Sequence, residues 1–334
     1  MPPGVIVLVL VVAVFHVVWN ALLKTSGDTL RTAERAMVVG VVVFAPPVIV
    51  GWWLVGRPGL EPGTVVLAVV SGVLEAAYFV CLAEAYRRGD LSVVYPIARG
   101  TAPVLSVVLG VAVLGERLAP TGIVGVVALL AGILLVQRPW RIIGTIRAHL
   151  GRGRGSGGSD GATADALIGG AEFAMLTGVI IAGYSAVDAV GARQAPVWLY
   201  AGVVFPVCAI VLVGWVRLVA RRPVRTQASD TASLASGTVS VASGTAIVAS
   251  ADPAPWLRSG LAGTISLGAY GLILVAYTLA PLTAVAPLRE SSIVLASAWG
   301  AIRMREATDG RDRARRLGGA CLVLGGAVLL AMRG

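Results

Sequence analysis

The stretch Gly72–Pro96, GVLEAAYFVCLAEAYRRGDLSVVYP, recurs without a gap as Gly263–Pro287, GTISLGAYGLILVAYTLAPLTAVAP. The alignment pairs Ala85-Tyr86 with Ala276-Tyr277, and both copies end on a proline. Each copy joins one apolar run to the next. This duplication predicts two structurally related halves, so the number of helices in each half decides the fold.

The composition is that of an integral membrane protein. Of 334 residues, 57% are hydrophobic and 13% are charged, whereas a soluble domain carries about 25% charged residues. Mean hydropathy is +0.86. The net charge of +10 lies in short segments between apolar runs, as membrane topology is encoded, and does not predict nucleic-acid binding. The cysteines stand singly in apolar runs and are interpreted as packing residues: Cys81, Cys208 and Cys321.

Ten apolar runs are long enough, or nearly so, to cross the hydrocarbon core as helices, which takes about 20 residues. The first five are Val5–Leu23, Val38–Val55, Val65–Tyr86, Leu91–Leu114 and Pro120–Val136. The second five are Leu167–Val190, Val197–Val219, Leu261–Leu279, Thr283–Ile302 and Leu317–Met332. The sequence therefore predicts an all-α, multi-pass integral protein of the cell membrane.

Five helices per repeat is an odd number, so the second copy must enter the membrane in the opposite orientation. The predicted fold is ten transmembrane helices arranged as two inverted five-helix repeats. We expect the first repeat at 1–140, a flexible basic linker at 141–166 and the second repeat at 167–334. Inverted repeats are typical of secondary transporters, whose substrate site lies at the repeat interface near the middle of the membrane.

Two stretches interrupt the apolar pattern. Gly151–Gly161 reads GRGRGSGGSDG, and this composition predicts a flexible linker. Thr226–Asp252 is rich in Ser, Thr, Ala and Gly and is interpreted as a disordered loop, with an interfacial or spanning segment at 234–250 as the alternative. Met1-Pro2-Pro3 lacks the basic residues of a signal peptide, so the first run is expected to remain as a helix.

Three phrases resemble the drug/metabolite transporter superfamily, specifically its EamA-like ten-helix branch. They are HVVWNALLK at His16–Lys24, AYRRGDLSVVYPIARGTAPVLSVVLGVAVLGERL at Ala85–Leu118 and APLTAVAPLRESS at Ala280–Ser292. The resemblance implies a transporter without a metal or organic cofactor, whose relatives move amino acids, nucleotide precursors, drugs or other small metabolites. The second half departs from the pattern, because Arg305-Glu306-Ala307 stands where the first half has Gly-Glu-Arg.

Polar side chains within the first repeat are candidates for a binding site, since ionisable groups in a span usually face a cavity or a partner. His16, Trp19, Asn20 and Lys24 share one face of helix 1, where Trp19 is suited to stack on a substrate and Asn20 to hydrogen-bond it. The alternative makes His16 a packing residue and lets the lysine reach the headgroups.

Helices 3 and 4 bring a second set of candidates: Glu75, Tyr78, Tyr95 and Arg99. A Glu75–Arg99 ion pair is expected, either as a static structural pair or as the element that couples transport to protons. Burial favours the neutral form of a carboxyl group, and a nearby arginine opposes protonation. A carrier can use this competition between protonation and ion pairing to couple proton binding to transport.

In the second repeat the candidates are Tyr184, Asp188, Tyr270, Arg289 and Glu290. Adjacent residues of a helix point about 100° apart, so Arg289 and Glu290 are expected to have different partners. One arrangement pairs Arg289 with Asp188 and leaves Glu290 available, and the alternative is a structural network that holds helix 9. Charged residues at span ends, among them Glu116 and Glu306, are interpreted as topology or capping residues.

The predicted site is one central cavity. Its substrate-binding residues are Trp19, Asn20, His16, Tyr78, Tyr95, Arg99, Tyr184, Tyr270 and Arg289. Its coupling carboxylates are Glu75, Glu290 and Asp188, with Glu75 preferred because it lies in the middle of a span.

Transport is weighed against two other classes of function. A membrane enzyme usually carries a recognisable constellation of catalytic groups, but the chain has only two histidines, His16 and His149, and neither metal nor triad chemistry is expected. A non-transporting subunit would not need charges inside the spans of both halves. The leading prediction is an exporter of a small polar or amphipathic metabolite, and the alternative is a lipid-linked substrate flippase or nucleotide-sugar carrier. Expected partners are the substrate, the bilayer and protons, in a monomer or homodimer.

Two indications of the topology disagree. Most of the 27 Lys and Arg residues fall in the loops that are internal if both termini face outside, so the positive-inside rule favours that orientation. The family resemblance instead implies that both termini are cytoplasmic.

Overall fold

The computed structural model describes residues 1–24, 28–88, 91–137, 144, 159–220, 255–290 and 310–331. Within these ranges the regular structure is helical throughout, without β-strands. The helices are α1 (Pro3–Lys24), α2 (Thr29–Leu54), α3 (Pro62–Arg88), α4 (Leu91–Ala112), α5 (Pro120–Gln137), α6 (Ser159–Gly191), α7 (Val197–Ala220), α8 (Trp256–Leu279), α9 (Leu282–Glu290) and α10 (Gly310–Ala331).

In the part of the chain that the structure describes, five stretches are long and apolar enough to span a membrane: Leu30–Leu54, Pro62–Ala85, Gly170–Gly191, Val197–Leu218 and Trp256–Leu279. Shorter apolar stretches lie at Pro3–His16, Ile97–Ala112 and Pro120–Val136. Large apolar side chains cover the outside, including Leu54 and Leu257, which are 82% and 79% exposed. An apolar exterior of this kind suits hydrocarbon, not water, so the chain is a multi-pass helical membrane protein.

Several helices begin before their predicted apolar runs, α2 and α6 by the most residues. In α2, Asp28 caps the helix by accepting a hydrogen bond from the Arg31 amide at 3.0 Å, so the charged turn up to Arg35 is helical. Helix α6 begins at Ser159, so residues 159–166 of the predicted linker are helical. Hydropathy misses such turns because they carry polar residues.

Several predicted features lie outside the described residues. These are the remainder of the linker from 145 to 158, the Thr226–Asp252 stretch with its 234–250 alternative, and the predicted end of helix 9 after Glu290.

The helices pack mainly across the two halves of the chain. Helix α3 packs against α6 and α7, while α8 packs against α1 and α2. Helix α4 contacts α6 and α9, α2 contacts α7, and α5 contacts α10. By contrast α3 and α4, which are neighbours in sequence, hardly meet. Side chains from both halves therefore converge at the centre.

Small residues let α2 and α8 approach closely. A Cβ atom on Gly263 would lie 1.9 Å from the carbonyl oxygen of Ala36, and one on Gly40 would lie 2.6 Å from Leu267. These distances leave no room for a side chain, as at other close crossings of membrane helices. The crossing fixes how α8 presents its next two turns to the centre.

Candidate functional site

A cavity of about 40 Å³, lined by both polar and apolar side chains, lies between the two halves. It is lined from α1, α2, α3, α6, α8 and α9 by residues that include His16, Trp19, Met37, Glu75, Tyr78, Phe79, Tyr184, Ser266, Tyr270 and Arg289. A cavity of this size holds a few waters, whereas small-molecule sites usually occupy about 300–1,000 Å³. The helices are therefore closed around the cavity in this conformation.

One wall of the cavity is a buried network of charges that joins the halves. Glu290 accepts from Arg99 Nη1 at 2.9 Å and from Arg289 Nε at 3.1 Å, and all three side chains are at most 4% exposed. The Nη2 atom of Arg99 lies 2.7 Å from His16 Nε2. Arg289 also donates to Ser185 Oγ at 3.4 Å. A single carboxylate thus contacts two guanidinium groups from different halves of the chain.

Aromatic rings form the rest of the wall. Trp19 donates from its indole nitrogen to His16 Nδ1 at 3.1 Å and meets Phe79 edge to face. The series continues through Tyr78 and Tyr184 to Tyr270, with ring centroids about 5–6 Å apart. Such a surface offers both ring edges and hydroxyl groups to an organic molecule.

Two more buried carboxyl groups lie at or near the cavity. Asp188 on α6 is fully buried and accepts hydrogen bonds from Tyr200 at 2.9 Å and from Tyr270. Glu75 on α3 lines the cavity, 8% exposed, and interacts with both Asp188 and Tyr270. Within the described part of the chain, neither carboxylate has an arginine or lysine nitrogen within 4.0 Å.

The predicted ion pairs Glu75–Arg99 and Asp188–Arg289 are therefore wrong, because both arginines pair with Glu290. Arg99 pairs with Glu290 and not with Glu75, because α4 packs on α6 and α9 while hardly meeting α3. Arg289 pairs with Glu290 and not with Asp188. The two adjacent residues were expected to need separate partners, but the long arginine side chain bends back to its neighbour.

The structure gathers most of the residues singled out in the sequence. His16, Trp19, Tyr78, Tyr184, Tyr270, Arg289 and Glu75 line the cavity, and Arg99, Glu290 and Asp188 contact that lining. The side chains of Asn20 and Tyr95 lie outside the described part of the chain, although their backbones are helical. Sequence reasoning missed Tyr200, Ser185, Met37, Phe79 and Ser266. Tyr200 alone gave a signal, as a tyrosine inside an apolar run.

A second cluster of polar contacts, formed by Glu116 and Arg193, connects the two halves at one end of the bundle. Glu116, in the α4–α5 connection, accepts from the Leu282 and Thr283 amides at 2.7 and 2.9 Å and so caps α9. The capping role predicted for Glu116 is confirmed. Arg193 donates to the carbonyls of Tyr277 and Ala280 at the end of α8 and lies 3.9 Å from Glu116. The cluster ties a loop of the first half to the α8–α9 turn of the second.

Glu116→Ala is expected to lower the free energy of unfolding by about 1–2 kcal/mol, because two amides at the start of α9 lose their acceptor. Thermal unfolding of the purified protein measures the effect. The matched control is Arg117→Ala, since Arg117 is the exposed neighbour of Glu116. Equal stability of the two variants would contradict the capping role.

An apolar groove of about 540 Å³ runs along the outside of the bundle between α2, α7 and α8. Its walls include Phe44, Trp198, Phe205, Leu267 and Gly271. Leu267 also lines the central cavity, and the Phe205 ring lies 6.0 Å from that of Tyr270. The groove and the cavity are thus separated by little more than these side chains.

Together, the fold and its buried charged cavity define a multi-pass helical membrane protein. Residues 3–138 match the model of the EamA-like transporter family, in agreement with the resemblance to the drug/metabolite transporter superfamily that the sequence indicated. Members of this family are transporters and generally not enzymes.

The same overall fold occurs in a solved structure whose title reads only "Crystal structure of protein". The two chains cover each other completely, with a TM-score of 0.64 and 17% sequence identity. At this identity the likeness shows the fold alone. No curated protein matches the chain.

Proposed function

We propose that the protein is a secondary transporter that moves a small polar or amphipathic metabolite by alternating access, and that it acts as an exporter. The observation that carries the proposal is the buried network of Arg99, Glu290 and Arg289 at the junction of the two halves. Buried charges are costly in a membrane and usually mark a substrate or ion pathway. Here they border a cavity that both halves line.

The packing of the helices supports an inverted repeat. Exchanging helices one to five with six to ten converts the α3–α7 contact into α8–α2, and the α4–α6 contact into α9–α1. All four of these helix–helix contacts are present in the bundle. Two halves related in this way can rock around a central site, which is how inverted-repeat transporters expose it to each side in turn.

The charges of the buried cluster support coupling to protons. Among the described residues the buried charged side chains are two arginines and three acids: Arg99, Arg289, Glu75, Asp188 and Glu290. The set is electrically neutral only when one acid holds a proton. Glu290 is already paired with both guanidinium groups, so the proton belongs to Glu75 or Asp188. Of these, Glu75 faces the cavity and is the coupling group that we propose.

Glu75→Gln is expected to keep folding and substrate binding but to abolish the dependence of uptake on pH, because glutamine mimics the protonated acid permanently. Proteoliposomes are incubated with a mixed metabolite extract under opposite pH gradients, and accumulated compounds are identified by mass spectrometry. Glu84→Gln on the same helix is the matched control, since Glu84 only pairs with exposed Arg87 and Arg88. Unchanged pH-driven uptake in Glu75→Gln would leave Glu75 with a structural role.

The apolar groove favours one second candidate, a lipid-linked substrate flippase. Its walls are apolar and it meets the central cavity, with its charged and tyrosine side chains, at Leu267, as an amphiphile with its head in the cavity would require. Comparing flux of a lipid-linked sugar with flux of water-soluble metabolites in the same proteoliposomes separates the two functions.

A further inference from the structure

We propose that the Tyr270 hydroxyl is a proton relay between a protonated, cavity-facing Glu75 and an ionised, inner Asp188. The inference deepens the proposed function, on which it rests, by specifying how a proton leaves the cavity wall. It starts from the positions of three side chains on three helices, α3, α6 and α8.

The hydrogen atoms of the cluster can be counted. A tyrosine hydroxyl has one hydrogen to donate and an oxygen that accepts. Tyr200 and Tyr270 both donate to Asp188, so Asp188 acts as an acceptor of two hydrogen bonds, as an ionised carboxylate does. The single hydrogen of Tyr270 is thereby committed to Asp188.

Glu75 then faces the oxygen of Tyr270 and not its hydrogen. Both side chains line the same small cavity, and an ionised Glu75 there would be repelled by the charge of Asp188. A protonated Glu75 avoids this repulsion and has a hydrogen to offer to the Tyr270 oxygen. The geometry therefore places the proton required for electrical neutrality on Glu75.

The two carboxyl groups differ in their access to the cavity. Glu75 and Tyr270 line it, whereas Asp188 is fully buried behind Tyr270. Ser71, one turn before Glu75, is also fully buried, and its hydroxyl lies beside Asp188 and Tyr200. A hydroxyl can donate or accept a hydrogen bond, as a group beside a carboxyl that changes its protonation must.

The relay step conserves atoms and charge. The O–H bond of Glu75 breaks as the Tyr270 oxygen takes its proton, and the O–H bond of Tyr270 breaks as Asp188 takes the other. One proton has moved from Glu75 to Asp188, Tyr270 again has one hydrogen, and no electrons are exchanged. The negative charge has moved in the opposite direction, from Asp188 to the cavity wall.

Other groups face this cluster from every helix packed around it. They are Tyr184 on α6, Tyr200 and Cys208 on α7, and Arg289 on α9. Arg289 is the one cation in this set and lines the cavity. Movement of the charge onto Glu75 brings it to the wall that Arg289 shares, which stabilises the second state.

Infrared spectroscopy of the purified protein in lipid nanodiscs tests the assignment with pH and D2O as the only probes, so it needs no transported substrate. At neutral pH we expect one carboxylic-acid C=O band that is lost in Glu75→Gln. In Tyr270→Phe the band should move to higher frequency, because the acid of Glu75 loses its acceptor.

Tyr200→Phe is the matched control, since Tyr200 donates to the same aspartate but does not stand between the two acids. Its acid band is expected at the wild-type frequency. A band that survives Glu75→Gln, that stays in place in Tyr270→Phe, or that shifts equally in both tyrosine variants would overturn the relay. An intact relay spectrum without any metabolite uptake would instead reject the proposed transport function alone.

Discussion

Glu290→Gln is expected to destabilise the protein by about 3–5 kcal/mol, the usual result of removing one partner from a buried ion pair. Glutamine keeps the size of the side chain but removes the negative charge. Arg99 and Arg289 would then remain buried near each other without the carboxylate that both contact. Thermal unfolding in detergent, together with the yield of monodisperse protein, measures the loss.

The matched control is Glu84→Gln, which also removes a carboxylate that contacts two arginines. Its partners Arg87 and Arg88 are 61% and 40% exposed at the side chain, so water replaces the lost interaction. Surface pairs of this kind contribute about 0.2–1 kcal/mol. If the two variants unfold at the same temperature, the Glu290 network does not hold the halves together.

Gly263→Ala is expected to cost about 1–3 kcal/mol or more through overpacking. The added methyl group would lie 1.9 Å from the carbonyl oxygen of Ala36 and 2.6 Å from its carbon. These are backbone atoms that no rotamer change can move, so α2 and α8 must separate. The unfolding temperature of the purified variant reports the effect.

Gly271→Ala, two turns along the same helix, is the control. A Cβ atom there meets nothing within 4 Å, and replacing a helical glycine by alanine without strain stabilises by about 0.5–1 kcal/mol. The two substitutions are therefore expected to shift stability in opposite directions. If both substitutions raise or both lower the unfolding temperature, α2 and α8 do not cross as closely as the structure shows.

The helices were predictable because apolar runs and their polar boundaries are local properties of the sequence. Helix α5, predicted at Pro120–Val136, is observed at Pro120–Gln137. The start of α6 at Ser159 was not predictable from hydropathy, because its first turns are polar and helix propensity alone gives a weak signal.

The residues of the candidate site were predictable from the sequence, but the ion pairs between them were not. Charged and aromatic residues inside apolar runs can be recognised in the sequence, and ionisable residues within a membrane span usually have a function. Which acid meets which arginine depends on how each helix is rotated about its axis and on which helices pack together. Arg99 and Glu290 come from opposite halves, and no spacing in the sequence links them.

The apolar groove has a consequence for experiments in detergent. A groove of about 540 Å³ with apolar walls accepts the alkyl tail of any surfactant that surrounds the purified protein. Such a tail occupies the surface next to Leu267 and stabilises whichever conformation holds the groove open. Melting temperatures should therefore vary with the chain length of the detergent, and ligand screens by thermal shift become competitions against it. Nanodiscs of defined acyl chains remove that competitor and are the appropriate medium for identifying the substrate.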